Sequence, residues 1–374
     1  MPIADGEKRL VGSPVRFYIS GRAYHGCPAL RRRRMRHFPS RSESPHVISH
    51  FAQACRPLAA LAICLLPSAA AAGTAFPSKP LRLIVPFAAG GSSDLIARVV
   101  AERMRKELGQ AVVVENRAGA GGMMGSEVVA LAPPDGYTLG LATVSTLAVN
   151  PIFYDKAAKT NQHLRPLAML VSMPAVITVN PAMPAKDFAG FVAELKRKPG
   201  AYSSAVPGVG SLGHLLVEAM NDKLGVKMTV VPYRGIGPAL NDTLAGVVQI
   251  LPDQLPSALP QVKAGKLVPL AVAGDKRVPQ LPQVPTLKEL GHGDLSDLGN
   301  SWFGLAVPAK TPAPVADKLR AAALKTIQAP EVLARLEQMG ASPAAGDEAH
   351  FQALIETQLK RNRAVVQRAG IKVE

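Results

Sequence analysis

The residues best placed to do chemistry are Gly90-Gly91-Ser92-Ser93-Asp94, directly after the apolar run Leu83-Ile84-Val85-Pro86-Phe87. Glycines let the backbone approach a bound group closely, and Ser, Ser and Asp stand where a helix begins. Such a strand-to-helix corner aims main-chain N–H groups and the positive end of a helix dipole at one point, which suits an anion. The plainer role of the same residues is helix capping, worth about 1 kcal/mol. A second corner, Gly208-Val209-Gly210-Ser211-Leu212-Gly213, matches G-x-G-x-x-G. A dinucleotide fold wants an acidic residue at the end of the next strand, but that strand ends Val231-Pro232-Tyr233-Arg234. The better reading is a second helix N-terminus facing the first across a cleft.

Ser211, His214 and Asp253 supply the residue types of a nucleophilic triad, yet no G-x-S-x-G elbow exists. His214 therefore reads as a helix-start residue held by backbone, and no catalytic residue is assigned. Asp253 follows the apolar run Val247–Leu251 and is either a turn cap or an acceptor for a ligand's amino or hydroxyl group. Thr143 and Ser145 lie at a strand's carboxyl end, where open α/β sheets bind ligands. Trp302, the only tryptophan, is a core residue or a cleft wall. No H-E-x-x-H or comparable ligand cluster occurs, so neither metal nor cofactor is expected.

The elements that must position these residues alternate strand and helix. Leu81–Phe87 reads as a buried strand. Asp94–Leu108 carries Ile96, Val99, Val100 and Met104 on one face and ends at Gly109, a helix-stop residue. Ala111–Glu115 and Thr138–Val144 are the next strands, and Pro133-Pro134-Asp135-Gly136 is a turn. Two βαβ units in succession imply a parallel sheet. Further strands are expected at 176–179, 226–231, 247–251, 267–273 and 302–307. Helices are expected at 187–196, 212–224, 238–245, 314–328, 330–339 and 348–369. Two domains follow from the length of 374 residues.

Half of the formal net charge of +16 sits in residues 1–75, which hold 11 Lys and Arg against 3 Asp and Glu. The run Arg31-Arg32-Arg33-Arg34-Met35-Arg36 lies there too, in a segment expected to be removed, so nucleic acid is not an expected partner. Leu58–Leu66 is an apolar stretch of secretory length, preceded by Arg56 and followed by small residues from Ser68 to Ala72. This is the layout of a signal peptide, with cleavage after Ala72 or Ala75; it is too short for a permanent span. Ile63 disfavours lipidation at Cys64, and Arg33-Arg34 lie far from the apolar stretch. Residues 1–34 resemble no part of a signal peptide, and Met35 is a candidate start. Cys27, Cys55 and Cys64 all precede residue 75, which excludes disulfides, a thiolate nucleophile and a Cys-ligated zinc from the body.

Several blocks resemble one family. Phe76-Pro77-Ser78-Lys79-Pro80, the Val85–Asp94 loop, Val114-Glu115-Asn116-Arg117-Ala118-Gly119, Pro134-Asp135-Gly136-Tyr137-Thr138-Leu139, Val231-Pro232-Tyr233-Arg234-Gly235, Asp253-Gln254-Leu255-Pro256-Ser257, Leu281-Pro282-Gln283-Val284-Pro285-Thr286 and Ser301-Trp302-Phe303-Gly304-Leu305 are similar, in this order, to the Bug-type solute receptors of tripartite tricarboxylate transporters. The likeness covers residues 76–374. It implies an α/β, type II periplasmic-binding-protein fold: two domains, 76–177 plus 301–374 and 178–300, joined by a double hinge and closing over one small carboxylate. It further implies a periplasmic monomer that delivers its ligand to membrane transporter subunits, or, alternatively, to a signalling partner. The ligand-binding residues it points to are Phe87, Ala88, Gly90, Gly91, Ser92, Ser93, Asp94, Thr143, Ser145, Val206, Gly208, Gly210, Ser211, Asp253 and Trp302. Counting from Pro199-Gly200, the family usually has Ser at the place of Val206 and Tyr at the place of Ser204, so one hydroxyl donor is missing here. Pro252 likewise stands where an aromatic residue is common.

Overall fold

The computed structural model describes residues 76–372; the expected signal segment and the candidate start at Met35 lie outside the described residues. The chain opens with strand β1 (Leu81–Val85), helix α1 (Ser92–Leu108), β2 (Val112–Asn116), α2 (Met123–Ala130) and β3 (Thr138–Thr143). β1 runs parallel to both β2 and β3, as two βαβ units require. The side chains of Leu81, Leu83 and Val85 are buried. They pack on Ile96, Val100 and Met104 of α1. Each such side chain contributes about 1.5–3 kcal/mol by leaving water. α1 stops where Gly109 takes a left-handed conformation and donates its N–H to the Arg105 carbonyl.

A π turn at Ser145–Val149 leads to short helices α3 (Asn150–Phe153) and α4 (Asp155–Asn161). Then comes β4 (Leu164–Val179), 16 residues long, where the sequence suggested only 176–179. Pro166 and Pro174 hid its first part: a proline removes a ladder donor and argues against a central strand. β4 accommodates them at register shifts and at its crossing point. Its residues 164–174 pair with β9 (Asn300–Pro308), and residues 175–179 pair with β7 (Ile250–Gln254) and β8 (Val268–Ala273), all antiparallel. One strand thus belongs to two sheets, changing over between Pro174 and Ala175. The expected parallel sheet is mixed, because β3 also meets β9 antiparallel.

Between β4 and β7 lie α5 (Phe188–Arg197), β5 (Ser203–Val206), α6 (Leu212–Leu224), β6 (Thr229–Pro232) and α7 (Ile236–Leu244). α8 (Leu255–Lys263) follows β7, and α9 (Gly293–Leu298) follows β8. The full strand order is β2-β1-β3-β9-β4-β7-β5-β6. The first lobe is completed by α10 (Ala313–Gln328), α11 (Pro330–Gln338), β10 (Ser342–Gly346), which pairs with β4, and α12 (Glu348–Arg368). One hydrophobic cluster fills the first lobe. A larger one crosses along β4 from Trp302 and Phe351 to Phe191, Leu215 and Met220. No helix of the described residues is long and apolar enough to cross a membrane.

Candidate functional site

The carboxyl ends of β1 and β3 in one lobe, and of β5 and β7 in the other, meet at a cavity. It is lined by Phe87, Gly91, Ser92, Ser93, Thr143, Ser145, Pro207, Ile236, Gln254, Ser301 and Phe303. Its atom-free space, open mouth included, is about 360 Å³. None of these residues is ionisable. The polar side chains are hydroxyls and one amide, set against Phe87, Ile236, Pro207 and Phe303.

The floor is the first turn of α1. Its N-cap residue is Gly91, which has no side chain to cap the helix. The N–H groups of Asp94 and Leu95 turn back to the Gly91 carbonyl at 3.0 Å each. Those of Ser92 and Ser93 find no acceptor among the described residues. They are the donors that a helix start leaves unpaired, here beside a cavity. The corner is held from behind. Asp94 accepts from the Gly90 N–H at 3.2 Å and from Arg98 at 2.9 and 3.1 Å. Burial alone would raise its carboxyl; the bonds from Arg98 and Gly90 outweigh that and hold it below the ordinary carboxylate range.

The lobes touch around the cavity. The Ala88 N–H donates to the Arg234 carbonyl at 3.1 Å. Ser145 Oγ accepts from the Leu212 N–H at 3.0 Å. Ser92 Oγ lies 2.7 Å from Ser257 Oγ and accepts from the Ser257 N–H at 3.1 Å. Close approach depends on glycine: a Cβ on Gly91 would lie 3.1 Å from Ile236 Cβ, and one on Gly237 would lie 1.9 Å from the Ala89 carbonyl oxygen.

The structure brings Phe87, Gly91, Ser92, Ser93, Thr143 and Ser145 together on the cavity. Asp253 stands one step back, buried, on an adjoining void that shares Pro207, Ile236 and Gln254. Ala88, Gly90 and Asp94 shape the corner but do not line the cavity. Four more expected residues lie in the second corner, and none of them reaches the cavity. Val206 is in the core. Gly208 packs on the Gly121 backbone. The Gly210 N–H donates to His214 Nδ1 at 3.2 Å, and Ser211 caps its own helix by accepting the His214 N–H at 3.2 Å. Those bonds also dissolve the triad, since His214 presents no ring nitrogen to Ser211 and Asp253 hydrogen-bonds Ser257 instead. Trp302 is 3% exposed, edge-on to Phe351 at 5.0 Å in the core behind β9. Its neighbours Ser301 and Phe303 face the cavity because side chains alternate along a strand. That alternation was the signal for them; Gln254, Pro207 and Ile236 had no comparable signal.

A roomier groove elsewhere carries Arg165 and Arg320, but Glu348 binds both, at 2.7–3.1 Å, and Asp317 binds Arg320 at 2.8 Å. Its cations are already satisfied.

The family model described as "Tripartite tricarboxylate transporter family receptor" matches residues 96–371. The chain belongs to this family. BugT of Bordetella pertussis is 33% identical over 301 residues, 80% of this chain and 92% of that protein. A solved periplasmic transporter is 42% identical with TM-score 0.78, covering 80% of this chain and all of the other. The periplasmic binding protein BugD is 33% identical with TM-score 0.77, covering 80% and 100%. Two Rhodopseudomonas palustris relatives both have TM-score 0.74: one solved with adipate is 30% identical, covering 79% and 99%, and MatC with bound malate is 32% identical, covering 78% and 100%. Members of the tricarboxylate receptor family are substrate-binding receptors rather than enzymes, and the two-domain solute-binding fold is the one found here.

Proposed function

We propose that this protein is a periplasmic receptor that captures one small carboxylate between its lobes and delivers it to the membrane subunits of a tripartite tricarboxylate transporter, working as a monomer. The observation that carries the reading is the unpaired N–H pair of Ser92 and Ser93, with two hydroxyls beside it, at a helix start facing a cavity without cations. A carboxylate supplies the acceptors those donors lack. Charge-assisted hydrogen bonds of about 1.5–3 kcal/mol each suffice for micromolar affinity, about −8 kcal/mol, after association costs. Lobe closure dries the site and strengthens each contact. The closed form, rather than the ligand, would then be what the membrane partner recognises. Malate and adipate in two relatives support the ligand class. The hinge belongs where β4 changes sheets and where β9 begins, close to the domain limits 177/178 and 300/301. Export would rest on the Leu58–Leu66 segment.

The test is a thermal-shift panel of mono- and dicarboxylates on protein freed of carried-over ligand. A shift of several degrees with at least one carboxylate is expected. A panel without any shift contradicts the reading.

A further inference from the structure

Asp253 is the one ionisable side chain on the two adjoining voids, and the receptor reading leaves it without a role. Ser257 Oγ lies 2.5 Å from Asp253 Oδ2 and 2.7 Å from Ser92 Oγ, so a chain of oxygens links the buried carboxyl to a hydroxyl on the cavity. The second carboxyl oxygen accepts the Gln254 N–H at 2.7 Å.

Each hydroxyl in this chain has one hydrogen to give, and Ser257 also reaches the Gln254 carbonyl, at 3.2 Å. With Asp253 ionised, Ser257 donates to the carboxylate, and its oxygen can accept from Ser92. In that order the Ser92 hydrogen points away from the cavity, and its oxygen faces an incoming anion. With Asp253 protonated, the order reverses: Asp253 donates to Ser257, Ser257 donates to Ser92, and Ser92 keeps its hydrogen for the cavity. Among the described residues the only other acceptor Ser92 reaches, the Gln254 carbonyl, is at 3.4 Å.

We propose that Asp253 is a proton-binding site coupled to the ligand: a carboxylate enters the cavity as an anion, Asp253 takes a proton from water, and the Ser257–Ser92 relay turns to donate to the anion. This deepens the carboxylate-receptor reading and rests on it. The relay spans the lobes, from β7 and α8 to α1, so it forms as they close.

The surroundings favour the neutral acid. Opposite Asp253 stands Val176 of β4, and the adjoining void is walled by Ala175, Leu212, Gly213, Leu216, Ile236 and Gly299. Charged groups on the packed elements are engaged elsewhere. Asp94 of α1 holds Arg98, His214 of α6 faces Gly210 and Glu218, and Asp242 of α7 accepts from Tyr233. Lys263 of α8 and Arg234 before α7 are exposed. Burial raises the Asp253 carboxyl to about 7, against the opposing pull of the bonds from Ser257 and the Gln254 N–H.

Two measurements test this. The first is a carbon-13 carboxyl titration of Asp253 by NMR on the ligand-free protein, assigned by its loss in Asp253→Asn. A midpoint near neutrality is expected; a midpoint near the ordinary value of about 4 overturns the proposal whether or not any ligand binds. The second is calorimetric titration with malate and with adipate in two buffers of different ionisation enthalpy. At about pH 8 the wild type should take up at least about half a proton per ligand and lose affinity as pH rises further. Asp253→Asn, whose amide donates to Ser257 as the protonated acid would, should bind with no uptake and no such pH dependence. Wild-type binding without proton uptake overturns the proposal. If neither binds, the calorimetry is repeated with the tightest carboxylate of the thermal-shift panel; a panel with no binder counts against the receptor reading, and the NMR midpoint then decides the proton site alone.

Discussion

The two glycine corners, Phe87–Ser93 before α1 and Val206–Ser211 before α6, look alike in sequence: strand, glycines, serine, amphipathic helix. In the structure they do opposite things. α6 starts with Ser211, whose hydroxyl caps the His214 N–H, while Gly210 is tied to His214 and Leu212 to Ser145. Of the N–H groups in its first turn, those of Leu212 and His214 are spent and only that of Gly213 is left over among the described residues; Pro207 alone of this corner reaches the cavity. α1 starts with Gly91, which cannot cap, and its next two N–H groups are left over. A helix start becomes an anion site when its own sequence fails to satisfy it and a cavity lies above it. Glycine content alone does not tell the two cases apart.

That contrast can be broken in several ways. The largest effect belongs to the contact that brings the lobes over α1. Gly237→Ala places a Cβ 1.9 Å from the Ala89 carbonyl oxygen, which is backbone and cannot swing aside. Calorimetry with the tightest carboxylate should show about a 100-fold loss of affinity, roughly 2.8 kcal/mol. The melting temperature should move by less than about 4 °C, because an open form accommodates the methyl group. Unchanged affinity would mean that the closed contact is not part of binding.

Next are the serines of the open corner. Ser92→Ala and Ser93→Ala should each weaken carboxylate binding about tenfold, the loss of one charge-assisted bond of about 1.5 kcal/mol; Ser93→Ala should leave urea stability nearly unchanged, while Ser92→Ala also costs about 1–3 kcal/mol because the buried Ser257 N–H loses its acceptor. Ser211→Ala should do the reverse: about 1 kcal/mol of stability lost with its cap, and carboxylate affinity within about twofold. If Ser211→Ala costs affinity and Ser92→Ala only stability, the corners have been assigned the wrong way round.

The smallest effect comes from β9, where the same distinction holds between adjacent residues. Trp302→Phe keeps the edge contact with Phe351 and removes a buried indole N–H that has no partner. Unfolding should register less than about 1.5 kcal/mol, and titration should show no change in affinity. A clear loss of binding would put Trp302 on the cleft after all.

Much of this was legible in the sequence. The apolar stripe from Ile96 to Met104, the stop at Gly109 and the β-branched strand before Pro86 specify the βαβ start by local pattern. The family resemblance supplied the second lobe and the cleft. β4 was not legible, because its prolines contradict local strand preference and only pairing with β9, β7 and β8 overrides them. Within the site, Gly91–Ser93 of the first corner line the cavity, whereas Val206, Gly208, Gly210 and Ser211 of the second do not. Whether Ser211 faces a ligand or caps its own helix depends on one side-chain rotation. Gln254 and Ile236 reach the cavity from the other lobe, across contacts that no spacing along the chain records. Trp302 drew attention by being unique, while strand alternation gave the cavity to Ser301 and Phe303.

The central claim is that the first turn of α1, and not that of α6, holds the anion. Backbone amide NMR of the protein titrated with the tightest carboxylate of the thermal-shift panel tests it. The Ser92 and Ser93 amide protons should shift downfield on saturation, as they gain a charged acceptor, while those of Gly210 and Leu212 keep the bonds they already have. Large downfield shifts confined to Gly208–Leu212, with Ser92 and Ser93 unmoved in a saturated sample, would contradict it.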